Sequence, residues 1–158
     1  MNIFKEHVKY NTEVYSLDHG DGEIINYLNL YDGLDDYFEV KYKKNGDSVL
    51  YSTKSYDRIR IESSLSVLSE ALLVLAEKIN SAQFEFEYNS YSRMHSHFDI
   101  GLVVNVIAGF MNKTDLNSDE EEIFSLCLNS LILEVSNVYN VSVVNARGII
   151  GDHLRISA

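Results

Sequence analysis

Three residues with metal-binding side chains stand at alternate positions in the second half of the chain: His95, His97 and Asp99. On a β-strand, alternate residues project from one face, so two imidazoles and a carboxylate would reach a single metal ion. A hydrolytic centre needs further ligands from other segments, and Asp152 and His153 are the distant candidates. The set is incomplete, so a metal-dependent hydrolase ranks last of three functions.

The same stretch also fits the start of a helix. Ser96-His97-Phe98-Asp99 has the Ser-x-x-acid form of a helix N-terminus, and apolar residues follow it at helical spacing. Because the segment is rich in β-branched residues, a buried strand is the competing interpretation of residues 97–111. The helix is favoured, and with it no metal or other cofactor is expected.

A cluster of cations crosses residues 41–60 of a protein that is otherwise acidic. Its members are Lys41, Lys43, Lys44, Lys54, Arg58 and Arg60. The simplest interpretation is that they line the solvent face of strands. The alternative is a DNA- or RNA-binding surface, in which these cations contact phosphates and nearby tyrosines stack on bases.

Acidic residues and tyrosines suggest a different ligand, a protein partner. The formal net charge of −11 repels nucleic acid and favours basic proteins, including the machines that handle nucleic acid. An acidic surface of this kind could imitate DNA phosphates. The predicted partner-binding loop carries Tyr31, Asp32, Asp35, Asp36 and Tyr37. Tyrosine supplies rigid contact area, as interface anchors do.

Five short β-type runs must position these residues between 12 and 62. Tyr37–Tyr42 alternates cleanly between apolar and polar residues, which predicts a half-buried strand. Asn45-Gly46 then predicts a type I′ hairpin turn. In the last run, 58–61, the isoleucines are expected to face inward and the arginines outward. The order of runs predicts a small closed barrel.

This order resembles the SH3-like small barrels of the Tudor, KOW and CarD type. The residues that carry the resemblance are Val14, Gly20, Gly22 and Ile24, in a third of the chain. The resemblance implies a module that docks on proteins or nucleic acids, found among transcription, repair and phage-encoded accessory factors. It therefore favours a binding protein over an enzyme.

After residue 62 the periodicity becomes helical. A helix is predicted after Ser63 or Ser64, with an apolar stripe at Leu65, Leu68, Leu72, Leu75 and Ile79. A strand is predicted over 83–88. An amphipathic helix is predicted after the capping box that begins at Ser118, with its stripe at Phe124, Cys127, Leu131, Val135 and Val138. The tail, 140–156, is predicted to form strands that close a sheet with 83–88. The expected fold is α+β, with a five-stranded barrel over 1–62 packed on a part with two or three helices and a small sheet over 63–158.

The remaining features concern compartment and assembly. The chain has no run of eighteen apolar residues and no leader pattern at its N-terminus, which predicts a cytoplasmic protein without a membrane partner. Cys127 lies in an apolar helical pattern and is expected to be a buried thiol. The almost wholly apolar segment 100–111 raises the expectation of a homodimer.

Overall fold

The computed structural model describes four stretches of the 158-residue chain: 11–29, 36–53, 59–80 and 99–155. They contain five strands: β1 (Glu13–Ser16), β2 (Gly20–Leu28), β3 (Tyr37–Tyr42), β4 (Ser48–Ser52) and β5 (Ile59–Ile61). They also contain four helices: α1 (Leu65–Asn80), α2 (Ile100–Met111), α3 (Ser118–Val138) and α4 (Val143–Arg155). The predicted α+β class is therefore confirmed.

The strands form one curled antiparallel sheet in the order β4-β3-β2-β1-β5. The last strand, β5, returns to the free side of β1, where Tyr15 lies opposite Arg60. The register of β2 on β3 shifts between Ile24 and Asn26, an irregularity of the kind that bends a strand. In the described residues β4 and β5 are the edges and do not pair, so the sheet is a half-barrel and not a closed barrel.

The β3–β4 hairpin confirms the predicted alternation but not the predicted turn. The buried side chains of β3 are Phe38, Val40 and Tyr42. A type I′ turn needs positive φ at two residues, and here Gly46 has a φ of 75° whereas Asn45 does not have a positive φ. The Asn45 Oδ1 atom instead accepts a hydrogen bond of 3.1 Å from the Asp47 N–H. A side-chain bond thus helps to close this turn.

The first two helices begin at side-chain caps. The Ser64 Oγ atom accepts a 3.3 Å hydrogen bond from the Val67 N–H, as predicted for α1. In α2 the cap is Asp99 and not Ser96, since the Asp99 Oδ1 atom accepts from the Leu102 N–H at 2.8 Å. Of the two interpretations of this segment, the helix is therefore correct from Ile100 onward.

The cap of α3 lies one residue before the predicted position. Asn117, not Ser118, accepts the hydrogen bond, at 2.9 Å from the Glu120 N–H. The Asn117 amide also donates to the Glu120 carboxylate at 2.6 Å. The helix itself follows the predicted stripe, whose fully buried members are Cys127, Leu131 and Val135.

The predicted strands of the tail, 140–156, are wrong, because this segment forms α4. Ser142 caps the helix, accepting a 3.1 Å hydrogen bond from the Asn145 N–H. Ala146 and Ile150, four residues apart, are buried in the core, so one helical face supplies the packing that a strand was expected to supply. The partner strand predicted at 83–88 lies outside the described residues.

Two apolar clusters hold these elements. The first lies on one face of the sheet: Val14, Ile24, Phe38, Val40, Tyr42 and Ile59. The second joins Leu17 to buried residues of all four helices.

Among the described helices, none is by itself both long enough and apolar enough to cross a bilayer. The helix α3 and residues Val143–Leu154 reach the required length and hydropathy only when they are taken together, and a bend of 112° separates them.

Candidate functional site

Within the described residues, the predicted cationic surface is interrupted. Lys41 and Lys44 are exposed, but the Lys43 Nζ atom lies 2.7 Å from a Glu13 carboxylate oxygen. The prediction that Arg60 faces solvent is wrong, since its side chain is only 3% exposed. Lys54 and Arg58 lie outside the described residues. Two cations of the stripe thus have carboxylate partners within the protein.

Arg60 instead forms a buried ion pair between the sheet and α3. Its Nη1 atom donates to the Glu134 Oε2 atom at 2.6 Å, and its Nη2 atom donates to the Ser130 Oγ atom at 3.2 Å. The same Glu134 oxygen accepts a 2.9 Å hydrogen bond from the Ser63 N–H. Glu134 is fully buried. This arrangement joins β5, the start of α1 and the middle of α3.

Tyr15 completes the contact between β1 and α3. The Arg60 guanidinium lies 5.0 Å from the centre of the Tyr15 ring, and the Asn137 amide donates to the Tyr15 hydroxyl at 3.0 Å. Burial raises the pKa of the Tyr15 hydroxyl well above its ordinary value. The polar groups on this face of the sheet therefore serve to hold the helices.

The predicted partner-binding loop is only partly described. Tyr31, Asp32 and Asp35 lie outside the described residues. Asp36 is buried, and its carboxylate accepts a 2.6 Å hydrogen bond from the Tyr27 hydroxyl. Partial burial and this bond raise the pKa of Tyr27 to about 12. The structure thus gives Asp36 a structural contact, while Tyr37, in β3, is half-buried.

The tyrosines of the hairpin pack on one another. The Tyr42 and Tyr51 hydroxyls share a hydrogen bond. The Tyr51 ring stacks on Phe38 with centroids 5.4 Å apart, and the His19 ring lies 4.7 Å from Tyr42. Burial raises the pKa of Tyr42 far above its ordinary value. These rings form cross-strand packing.

The metal hypothesis receives no support from the part of the chain that the structure describes. His95 and His97 lie outside it, and Asp99 is engaged as the cap of α2. Within it, no group of three or more His, Cys, Asp or Glu residues is placed to hold a metal ion. Cys127 is buried, as predicted.

In the part of the chain that the structure describes, no element covers the outward face of helix α1. Its exposed apolar side chains are Leu65, Val67 and Leu73, at 55%, 46% and 60% exposure. Glu70 and Glu77 are also exposed. Glu70 lies three residues before Leu73 and Glu77 lies four residues after it, so all three side chains are on the same side of the helix. Leu65 lies two residues before Val67 and so on the other flank of the helix. We call Val67, Glu70, Leu73 and Glu77 the α1 face. It combines apolar and acidic side chains.

A shallow groove of about 200 Å³ runs beside this face, between α1 and α2. Its lining residues are Val67, Glu70, Ala71, Val74, Ile100, Gly101 and Val104. The single cation of α1, Lys78, is bonded to the Asn105 side chain of α2. No basic side chain of α1 therefore offsets the two glutamates of the α1 face.

The sequence contained a signal for this surface. The apolar stripe predicted for α1 included Leu65, which is exposed, and Leu68, Leu72 and Leu75, which are fully buried. Val67 and Leu73 stand outside that stripe, so the helix has more apolar residues than one buried face can use. By contrast, seven residues of α2 are buried within the chain, so its apolar side chains serve the core of this protein, and the homodimer stays a prediction.

No protein-family model matches the chain, and no curated protein matches it either. The resemblance to SH3-like barrels therefore rests on the order of the strands and the turn residues in the first third of the chain.

Proposed function

We propose that the chain is a non-enzymatic accessory protein that binds a protein partner through the α1 face and the groove beside it. The observation that carries the proposal is the combination, on the α1 face, of two exposed apolar side chains with two exposed glutamates that no cation of α1 offsets. Exposed apolar residues beside a groove are typical of protein interaction sites. The resemblance to small docking barrels points in the same direction.

Charge complementarity indicates the chemistry of the partner. A segment that fits this surface needs apolar side chains for Val67 and Leu73, and basic side chains opposite Glu70 and Glu77. A second copy of the chain would instead bring like charges together. Proteins that handle nucleic acids carry basic surfaces and are the partner class that we propose.

Direct binding of DNA or RNA is the second candidate, supported by the exposed Lys41 and Lys44. It is less favoured because Lys43 and Arg60 are held by carboxylates within the protein. The net charge of −11 also opposes the approach of a polyanion.

The test uses a fluorescent amphipathic peptide of about five helical turns, built from leucine and lysine, with a glutamate-for-lysine version as the control ligand. The lysine peptide is expected to bind and the glutamate peptide is not. Leu73→Asp is expected to weaken binding about tenfold or more, because burial of a leucine side chain contributes about 1.5–3 kcal/mol.

Leu50→Asp is the matched control, since Leu50 is 56% exposed but lies on β4. Equal weakening by both variants, or no preference for the lysine peptide, would refute the proposal. If a DNA duplex binds tightly at low salt and Lys41→Glu with Lys44→Glu abolishes that binding, the nucleic-acid candidate is correct instead.

The stability of Leu73→Asp tests whether the α1 face is open in solution. An exposed site predicts a change of less than about 0.5 kcal/mol in the free energy of unfolding. A much larger loss would mean that other residues of this chain cover Leu73, and the surface would then be unavailable to a partner.

A further inference from the structure

A cleft of about 360 Å³ opens between the sheet and the helices, at a site formed separately from the α1 face. One wall comes from the turn after β1 and from the β3–β4 turn, and the other comes from α3 and α4. We infer that this cleft binds a small organic anion with an apolar body. The volume lies at the lower end of the range for small-molecule sites.

The apolar part of the lining would receive the body of the ligand. It consists of Leu17 from the β1–β2 turn, Leu126 and Leu133 from α3, and Val143 from α4. Leu126 and Leu133 are seven residues apart, which is two helical turns, so both lie on the side of α3 that faces the cleft. A hydrocarbon chain placed between these two leucines would be removed from contact with water.

Two cations line the cleft from opposite walls. Lys44 comes from the β3–β4 turn and Arg147 from α4, and both are exposed. Neither forms an ion pair with any residue that the structure describes. Lys43, Lys113 and Arg60, in contrast, each have a carboxylate within 2.7 Å. Because neither cation is paired within the described residues, both remain available to an anionic ligand in a protein whose net charge is −11.

Ser130 supplies a third donor. It lines the cleft and is only 3% exposed. Because its Oγ atom accepts a hydrogen bond from Arg60, the hydroxyl proton is left for a second hydrogen bond. The adjacent guanidinium charge makes this hydroxyl a stronger donor. A ligand oxygen in the cleft would accept the proton.

Acidic side chains restrict where the anionic group can sit. Asp18 and Asp21 line the turn side of the cleft, and the Asp21 carboxylate lies 3.5 Å from Lys43. A negative head group therefore sits on the helix side, near Arg147 and Ser130, while the two aspartates disfavour extended polyanions. A compact head group, either a carboxylate or a phosphate monoester, fits this distribution.

Calorimetric titration with hexanoate, hexyl phosphate, hexanol and inorganic phosphate tests the inference. At least one of the two amphiphilic anions is expected to bind saturably, and the one that binds more tightly identifies the head group. Hexanol lacks the negative charge and inorganic phosphate lacks the apolar body. Both are therefore expected to bind at least about tenfold more weakly.

Variants then locate the site. Arg147→Gln is expected to weaken binding about fivefold to tenfold, as loss of a charge-assisted contact does, whereas Lys44→Gln, on the opposite wall, is expected to weaken it less. Lys41→Gln removes an exposed lysine that does not line the cleft and should leave affinity unchanged. All three positions are exposed, and circular dichroism checks that the variants fold.

Three results would overturn the inference. They are the absence of saturable binding by both amphiphilic anions, equal binding of hexanol or inorganic phosphate, and equal weakening by Lys41→Gln. None of them bears on the α1 face, so the proposed function and this inference fail separately.

Discussion

The buried pair of Arg60 and Glu134 carries a large desolvation cost, since both side chains are almost completely removed from water. Transfer of two charges from water is unfavourable, and their attraction offsets that cost only when the geometry is good and further hydrogen bonds are made. Here the hydrogen bonds with Ser130 and Ser63 add to the 2.6 Å ion pair. The pair is therefore expected to specify how α3 packs on the sheet more than to add stability.

Glu134→Ala is predicted to destabilise the protein by about 3–5 kcal/mol, because it leaves the Arg60 cation buried without its carboxylate. The double variant Arg60→Met with Glu134→Leu removes both charges and should retain much more stability than the single variant. Urea denaturation followed by circular dichroism measures both. A loss below about 1 kcal/mol for Glu134→Ala would mean that Arg60 is not desolvated in solution.

Glu62 gives the protein a pH dependence at the same junction. Burial raises the pKa of its carboxyl above the ordinary 4.5, and the nearby Glu13 and Glu134 add to the effect. Between 4.5 and the raised value, the folded state binds more protons than the unfolded state, so stability falls as the pH rises.

Glu62→Gln should therefore be more stable than the wild type at pH 7, and the difference should vanish below pH 4.5. Melting temperatures measured from pH 4 to pH 8 test this, with Glu77→Gln, on the exposed side of α1, as a control for the loss of one charge. A variant that is less stable than the wild type at pH 7 would contradict the expectation.

At the scale of the elements, glycines act in two different ways in the sheet. Gly20 has a φ of 79°, as expected of a residue in a tight turn. Gly22 is needed for space instead, because a Cβ atom there would lie 2.8 Å from the Lys41 carbonyl oxygen and 2.9 Å from side-chain atoms of Val40 and Tyr42. Because Gly22 has no side chain, β2 can approach β3 closely.

Gly22→Ala is predicted to destabilise the sheet by about 1–3 kcal/mol through overpacking. Gly148→Ala is the matched control, since a Cβ atom at that position of α4 meets nothing within 4 Å. That change should instead stabilise the protein by about 0.5–1 kcal/mol, because alanine has the higher helix propensity. Chemical denaturation of both variants gives the comparison, and the same sign for both would refute it.

At the scale of the whole molecule, the sheet and the helices pack directly against each other and are not joined by a flexible linker alone. Leu17 belongs to the helical core, and Arg60 and Tyr15 bond to α3. The sheet is also open at two edges in the described residues. We therefore expect neither the strands nor the helices to be stable alone.

Native-state hydrogen exchange should accordingly give similar opening free energies for the amides of Val40 in β3 and Leu131 in α3. Both residues are fully buried, and a single cooperative unit opens both together. In Glu134→Ala the two values are expected to separate. Two widely different values in the wild type would show that residues 1–62 and 63–158 unfold independently.

Local sequence was sufficient for most of the element types. The alternation in β3 predicted its buried face, and the heptad-like spacing in α1 and α3 predicted helices with Leu68, Leu72 and Leu131 inside. These features depend on neighbours within a few residues. The tail was mistaken for strands because its valines and isoleucines also have high β-propensity, and Ala146 and Ile150 find their packing partners only in the assembled core.

The environment of each face was decided by tertiary structure. Alternation in β5 separates Arg60 from Ile59 and Ile61, but it cannot tell whether the second face meets water or another element. Here α3 covers that face with Glu134, seventy-four residues further along the chain. The exposure of Leu73 and the opening of the cleft likewise depend on where the helices pack. Periodicity is a local property of the chain, whereas burial depends on partners that are distant in sequence.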